Sequence, residues 1–385
     1  LTHRIAWQSA VGAIAPGRVL ALTFTRKAAA ELRERLARLG VTEGVAAGTF
    51  HSIALAQLRR RAADRNTVMP TVLASKARII GPLLGRRDDD RLRIADVAAE
   101  IEWAKARLVA PPRYLEAVTA SRRDVVQVER IAAIYERYEA EKQRRDLIDF
   151  DDLLIRCRVE MERDPEFAQA QRWRFRHLFV DEAQDMNPLQ YRLFDAIRGG
   201  RADVFVVGDP MQAIYGWNGA DPALFTSLPD ALPSPTVLSL PNNYRCSPQV
   251  LSVATHVARH NGTEPDVRAR RANGLPAVFI EAADEDDELS QAYLIAMHHA
   301  REISPTQRSA RDASRMTLGS VAVLARTHQQ LEPLARWLER SNVAVVTRRV
   351  DASRATAIDE VADCRTRHDL VVWAADVLVE SDNDA

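Results

Sequence analysis

Cysteine is scarce in this 385-residue sequence: Cys157, Cys246 and Cys364 are its three, far apart and without metal-ligand spacing. That excludes a disulfide framework and a cysteine-held zinc site, and it suits reduced thiols in a cytoplasmic protein. Long apolar runs are missing as well, since no stretch approaches the roughly 18 residues of a membrane-spanning helix. No charged, apolar, then small-residue leader opens the chain, which begins with Leu1 rather than Met. Charge of one sign is not in excess, with 53 basic side chains against 53 acidic ones. No global attraction to polyanions follows, so any such site must be local. Lysine is nearly absent: Lys27, Lys76, Lys105 and Lys142 stand among many arginines, a bias that codon composition explains as readily as phosphate recognition. No glycine is followed by lysine, so a glycine-rich phosphate loop, with its lysine and Ser/Thr, has no counterpart in these residues.

What is present is ordinary globular composition, 46% hydrophobic and 28% charged, with length for two or three domains. Residues 1–13 carry apolar positions at helical spacing. "GRVLALTFTRKAAAELRERLARLG" switches from a strand, Val19 to Phe24, to a helix closed by Gly40. "GVAAGTFHSIALAQLRRR" predicts a shorter strand, a turn at Gly48-Thr49 and another helix. From about 60 to 175 the pattern is helical and charged, with a loop at "LLGRRDDDRLR" and a long helix at "VVQVERIAAIYERYEAEKQRRD". Strand and helix then alternate again: "HLFVDE", the helix "LQYRLFDAIRGG", and the strands "ADVFVVGDP" and "PTVLSL". Strands that are apolar throughout predict a parallel sheet covered by helices on both faces. A second α/β region follows, with strands expected at "AVFIEAA" and "SVAVLAR", a helix at "QLEPLARWLERSN" and a loop at "REISPTQRSARDASRMTLG".

Ligands of such sheets sit at the carboxyl ends of the strands. In "HLFVDEAQDMNPLQ", Asp181 and Glu182 end one strand, and Gly208-Asp209 ends another in the same way. An apolar strand ending Asp-Glu is the pattern in which the Asp holds the Mg²⁺ of a nucleotide and the Glu handles the attacking water. "VFVVGDPMQAIYGWNGAD" adds Gln212 near that crevice, then Tyr215 and Trp217 in a Gly-rich loop. Those rings either stack on nucleic-acid bases or pack beneath their own loop. "LPNNYRCS" brings Tyr244 and Arg245 to the entry of the second region, where an arginine can reach a transferring phosphoryl group. In "LIDFDDLL", Asp151 and Asp152 are expected to cap a helix rather than to bind a ligand.

Taken in order, "LALTFTRKAAAELRERL", "AGTFHSIAL", "LIDFDDLL", "HLFVDEAQDMNPLQ", "VFVVGDPMQAIYGWNGAD", "LPNNYRCS" and "VAVLARTHQQLEPLARWLERSNVAV" resemble the motifs of the UvrD/Rep/PcrA branch of superfamily 1 DNA helicases. The resemblance covers the chain up to about residue 350. It implies an α/β fold: a RecA-like parallel-sheet domain over 1–60 and 176–240, a mostly helical insertion over 61–175, and a partial second RecA-like domain over 241–385. It implies an ATP-dependent DNA helicase, a 3′ to 5′ single-strand translocase, with ATP and Mg²⁺ as cofactors. Single-stranded DNA, its junctions with duplex, and DNA-repair proteins are the partners it implies, and no membrane. By the same resemblance Asp181 holds Mg²⁺ and Glu182 activates water. Gln184 and Gln212 link the terminal phosphate to the DNA surface, Arg245 meets the γ-phosphate across a domain cleft, and Tyr244 stacks on adenine. Phe24, Thr25, Thr49, His51, Tyr215 and Trp217 become single-strand contacts. Read from the residues alone, Phe24 is equally a core side chain, and His51 a cap or packing residue.

The sequence departs from the family in three places. The phosphate loop is missing, and the opening "LTHRIAW" resembles the helix that directly follows it, so the loop is expected before Leu1. Asn218 stands where many relatives carry a basic residue beside the loop Trp. After residue 350 an apolar segment and an acidic tail replace the later motifs. Two functions follow as expectations: a helicase represented by an incomplete chain unable to hydrolyse ATP alone, or a non-catalytic module that binds nucleic acid or protein through a helicase-like fold.

Overall fold

The computed structural model describes residues 1–42, 44–84, 92–302, 316–317 and 321–346. They form two compact units that divide between Val237 and Leu238. In the first, four parallel strands build one sheet: β1 (Val19–Thr23), β2 (Ala46–Thr49), β5 (His177–Val180) and β6 (Val204–Val206), ordered β2-β1-β5-β6. Register runs from Leu20 opposite Ala46 on one side to Leu20 opposite Leu178 on the other, and from Phe179 to Phe205 beyond. Two short parallel strands, β3 (Thr71–Val72) and β4 (Leu147–Ile148), pair separately.

The apolar runs are buried on both faces because alternate residues serve different cores. Leu20, Leu22, Leu178 and Val180 point into one cluster, covered by α3 (Phe50–Asp64), α8 (Phe150–Arg163), α9 (Pro165–Arg174) and α10 (Pro188–Arg198). Val19, Ala21 and Phe179 point into the other, beneath α1 (Thr2–Ala10) and α2 (Arg26–Arg38), through Ile5, Leu32 and Leu36. Helices α8 and α9 lie within the stretch read as insertion, yet they pack on the sheet. A third cluster, in α4 (Ala77–Leu84), α5 (Ile94–Ala106), α6 (Tyr114–Ala120) and α7 (Val128–Arg144), fills the helical insertion with Ile101, Tyr114, Ile134 and Tyr138.

Between the insertion and the sheet's helices lies a buried ionic lattice. Lys105 Nζ donates to Asp149 Oδ1 and Oδ2, both at 2.7 Å, and to Asp152 Oδ1 at 2.6 Å. Lys142 Nζ donates to Asp149 Oδ2 at 3.0 Å and Asp152 Oδ2 at 2.5 Å, and sits 2.9 Å from Glu139. Tyr138 adds its hydroxyl to Asp149 at 2.9 Å. Lys76 pairs with Glu102 at 2.8 Å and Asp151 at 3.2 Å. The carboxylate oxygens of Glu139, Asp149 and Asp152 cluster as in a cation site, and the cations are the two ammoniums. Three of the four lysines are thus spent here, where a compact point charge can meet several carboxylates at once. Burial would raise Asp149, but Lys105 and Lys142 hold it well below the usual carboxylate range. Burial would lower Lys105, but Asp149 and Asp152 hold it well above its usual value.

The caps correct two expectations. The α8 cap is Asp149, which accepts from Asp152 N–H at 2.9 Å while Asp152 accepts from Asp149 N–H at 2.9 Å. Asp152 is therefore the reciprocal partner, and Asp151 turns to Lys76. No turn interrupts Gly48-Thr49: β2 runs through it, and Thr49 caps α3 directly, accepting from Ser52 N–H at 3.2 Å.

The second unit holds α11 (Pro248–His260), α12 (Glu285–Glu302) and α13 (His328–Arg340), with parallel pairs β7 (Asn242–Asn243) to β8 (Arg268–Ala269) and β9 (Met316–Thr317) to β10 (Val343–Ala344). Its small core joins Ala296 to Leu334, Leu338 and Val343. The strands expected at "PTVLSL", "AVFIEAA" and "SVAVLAR" are not formed. An apolar run becomes a strand only beside a pairing neighbour, and among the described residues none borders Leu240, Phe279 or Leu324, which are 86%, 82% and 90% exposed. The tail beyond 350, and most of the expected loops at 83–93 and 301–319, lie outside the described residues.

The lattice makes a stability prediction. Lys142→Met should cost about 3–5 kcal/mol, the penalty for stranding a buried carboxylate, read from urea unfolding of this unit. Because Asp149 binds its proton more weakly folded than unfolded, its contribution is present above about pH 4 and lost as pH falls further. An unchanged midpoint in the variant would contradict the lattice.

Candidate nucleotide and nucleic-acid site

The tips of β1, β5 and β6 are stitched together by backbone and side chain. Asp181 N–H donates to Leu22 O at 3.0 Å, Val207 N–H to Val180 O at 2.9 Å, and Ala183 N–H to Val207 O at 2.9 Å. Glu182 then takes a left-handed conformation, φ 51°, which reverses the chain immediately after the strand. Gln184, buried, donates from Nε2 to Glu182 Oε2 at 2.8 Å and accepts at Oε1 from Asp209 N–H at 2.9 Å. Asp209 Oδ2 in turn accepts from Gln212 Nε2 at 2.8 Å. One continuous chain of hydrogen bonds therefore runs Glu182, Gln184, Asp209, Gln212. Gly208 is required by this approach, since a Cβ there would stand 2.8 Å from Gln184 Oε1.

Among the described residues no ion pair is formed by Asp181, Glu182 or Asp185. Burial, then Glu182, raises the Asp181 carboxyl above its usual value, against smaller pulls from the Glu182 backbone N–H and Arg35. Asp185 is pushed up to about 6 by burial and by Glu182, and its buried Oδ1 has no hydrogen-bond partner among the described residues. Asp185 has no role in the reading from sequence, although the third acid of "DEAQD" was the available signal.

The residues read as strand contacts border the same ends of β1 and β2. Thr25 caps α2, accepting from Ala28 N–H at 3.1 Å, and Thr49 caps α3. Phe24 is half-buried, its ring 5.6 Å from that of Phe50. His51 is half-buried with its ring edge-on to Phe150 at 6.5 Å. Burial lowers the His51 pKa, Asp151 raises it and Lys76 lowers it again. Tyr215 and Trp217 do not pack under their loop: they are 42% and 67% exposed, with ring centroids 6.4 Å apart. That loop rests on the end of α5, where Gly219, φ 86°, leaves no room for a Cβ beside Ala106 Cβ, 2.8 Å away. Tyr244 and Arg245 belong to the second unit. Both are exposed, on a turn where Asn243 Oδ1 accepts from Arg245 N–H at 2.9 Å and Cys246 N–H at 2.8 Å.

Against known families, residues 1–233 match the UvrD/REP helicase N-terminal domain. Among curated proteins the chain is 38% identical to an ATP-dependent DNA helicase UvrD2 of Mycobacterium tuberculosis, over 90% of this chain and 51% of the relative. It is 30% identical to an ATP-dependent DNA helicase PcrA of Staphylococcus epidermidis, over 89% and 46%. The chain thus spans about half the length of these relatives.

Asp185 supplies a pH test. Its carboxyl binds a proton more tightly folded than unfolded, so acidification through about pH 6 should stabilise the fold, the gain completing near the unfolded value of about 3.9. Asp185→Asn should raise the melting temperature at pH 7.5 and flatten its pH dependence between 7.5 and 5. A variant as pH-sensitive as the parent would contradict the assignment.

Proposed function

The chain belongs to the UvrD/REP helicase family, and on that premise we propose that it is the motor core of an ATP-dependent DNA helicase that moves 3′ to 5′ along single-stranded DNA. The observation that carries this reading is the hydrogen-bonded chain from Glu182 through Gln184 and Asp209 to Gln212. It joins an acid suited to activating water to a glutamine facing the next loop, on adjacent strand tips.

The uncompensated carboxylates fit a hard divalent cation. Burial and a neighbouring acid raise Asp181 as they do where negative charge has no partner, and oxygen ligands are what Mg²⁺ takes. Asp181 would hold it, and when bound it neutralises the phosphate oxygens of ATP. Glu182 receives the proton of the attacking water. Gln184 holds Glu182 in place, and Gln212, reached through Asp209, reads the terminal phosphate. Arg245 neutralises charge on the γ-phosphoryl group from the second unit, and Tyr244 stacks on adenine. Phe24, Thr25, Thr49 and His51 take the strand at the ends of β1 and β2, with Tyr215 and Trp217 offering exposed faces to bases.

In this proposal residues 1–60 and 176–240, with α8 and α9 packed on their sheet, form the first RecA-like domain, the rest of 61–175 the insertion, and 241–385 part of the second. The setting is the cytoplasm, consistent with free Cys157 and Cys246. No helix among the described residues is long and apolar enough to cross a membrane. The partners are single-stranded DNA, its duplex junctions and DNA-repair proteins.

A second reading, a binding module without turnover, is favoured for this polypeptide by one fact: no glycine in it precedes a lysine. A single preorganised donor on a reacting oxyanion is worth about 2.7–4 kcal/mol, so losing the set abolishes useful hydrolysis. The chain alone should therefore show no DNA-stimulated ATP turnover, and robust turnover would overturn this. In a form carrying a phosphate loop, Glu182→Gln should abolish hydrolysis while ATP affinity changes little. Retained turnover would remove Glu182 from its role.

A further inference from the structure

The opposite pole of the sheet carries a constellation that the motor chemistry does not use. Because β1, β5 and β6 are parallel, the residues just before them gather at one end. Arg18 precedes β1, Arg176 precedes β5, and Arg201 lies shortly before β6. Helix α9 runs out there through the alternation Arg172, Trp173, Arg174, Phe175, Arg176.

Two of these guanidiniums are engaged internally. Arg172 donates to Ala196 O from Nε at 3.2 Å and Nη2 at 3.0 Å. Arg201 donates to Arg172 O at 2.6 Å, Arg176 O at 3.2 Å, Ile197 O at 2.8 Å and Arg198 O at 2.8 Å. They satisfy the carbonyl ends of α9 and α10. The others are differently placed. The Arg18 guanidinium lies over the Trp173 ring at 4.3 Å, and that indole is still 65% exposed. Arg174 sits within repulsive reach of Arg60 from α3; partial burial and then Arg60 lower its hold on its proton. Arg60, Arg174 and Arg176 are exposed and make no ion pair with a carboxylate among the described residues. The acids nearby are taken, Asp195 by Arg198 and Asp203 by His177, each at 2.6 Å.

Like charges held together on one face repel unless an anion is drawn in. An acidic peptide would meet the guanidiniums but offers nothing flat to the indole. A single strand of nucleic acid supplies regularly spaced phosphates and planar bases together, the chemistry that arginine and tryptophan recognise jointly. We propose that this arginine–tryptophan pole is a second nucleic-acid-binding surface, which takes single-stranded nucleic acid independently of the strand tips.

Anisotropy of a short fluorescein-labelled oligothymidylate, titrated against the chain across a salt series, reads this directly. The parent should bind in two classes. Arg174→Glu with Arg176→Glu should remove one class, and the salt slope should fall by about 0.7 for each phosphate no longer neutralised. Trp173→Ala should weaken the same class about tenfold or more, while Trp217→Ala should spare it. Should the double reversal fail to match the parent in urea unfolding, Arg174→Gln with Arg176→Gln carries the same test. Stoichiometry and salt slope unchanged in these variants would overturn the proposal. So would loss of polyglutamate binding with oligonucleotide binding intact, which would assign the pole to an acidic protein.

Discussion

Gln184 is the side chain on which the site depends, because one buried amide serves two strand tips at once. Its Nε2 holds Glu182 and its Oε1 receives Asp209 N–H, at 2.8 and 2.9 Å. Nothing else in the described site ties the acid after β5 to the loop after β6 through side chains. The bond exists only because both strands are parallel and buried on both faces, so that their carboxyl ends emerge side by side. Gly208 completes the constraint by letting the second loop approach the amide closely. Burying an amide costs about 1–3 kcal/mol when it is unpaired, and here the cost is offset by satisfying it on both sides.

The charge that surrounds this bond follows from the same packing. Asp181, Glu182 and Asp185 crowd one tip, and burial and mutual repulsion raise the proton affinity of Asp181 and Asp185. The buried lattice at the insertion shows the opposite solution. There Lys105 and Lys142 pair with Asp149 and Asp152, and Asp149 is held well below the usual carboxylate range. One acidic cluster is closed by the chain's own lysines, whereas the other forms no ion pair among the described residues.

Much of the first unit was legible in the sequence for a physical reason. Runs such as Val19 to Thr23 and His177 to Val180 are apolar at nearly every position, which a doubly covered parallel strand requires, and their polar tips mark the ligand end. The lysine lattice was not legible. It needs side chains from positions 76, 105, 142 and 149 to converge, and the scarcity of lysine looked like codon composition. The Asp149 cap was hidden among three acids, of which only geometry distinguishes the capping one. The second unit misled for another reason: apolar β-rich runs announce a capacity to pair, whereas strand formation needs a neighbour. The basic pole was invisible because its arginines come from four parts of the chain, inside an arginine-rich composition.

The proposed magnesium–nucleotide site is the acidic tip of β5. It is tested most directly by a crystal structure of a form carrying the phosphate loop, grown with Mg²⁺ and a non-hydrolysable ATP analogue. Metal density is expected against Asp181, with Glu182 and Gln212 bordering the terminal phosphate and the Gln184 bridge intact. Nucleotide bound elsewhere, or an Asp181 carboxylate facing only protein, would contradict it.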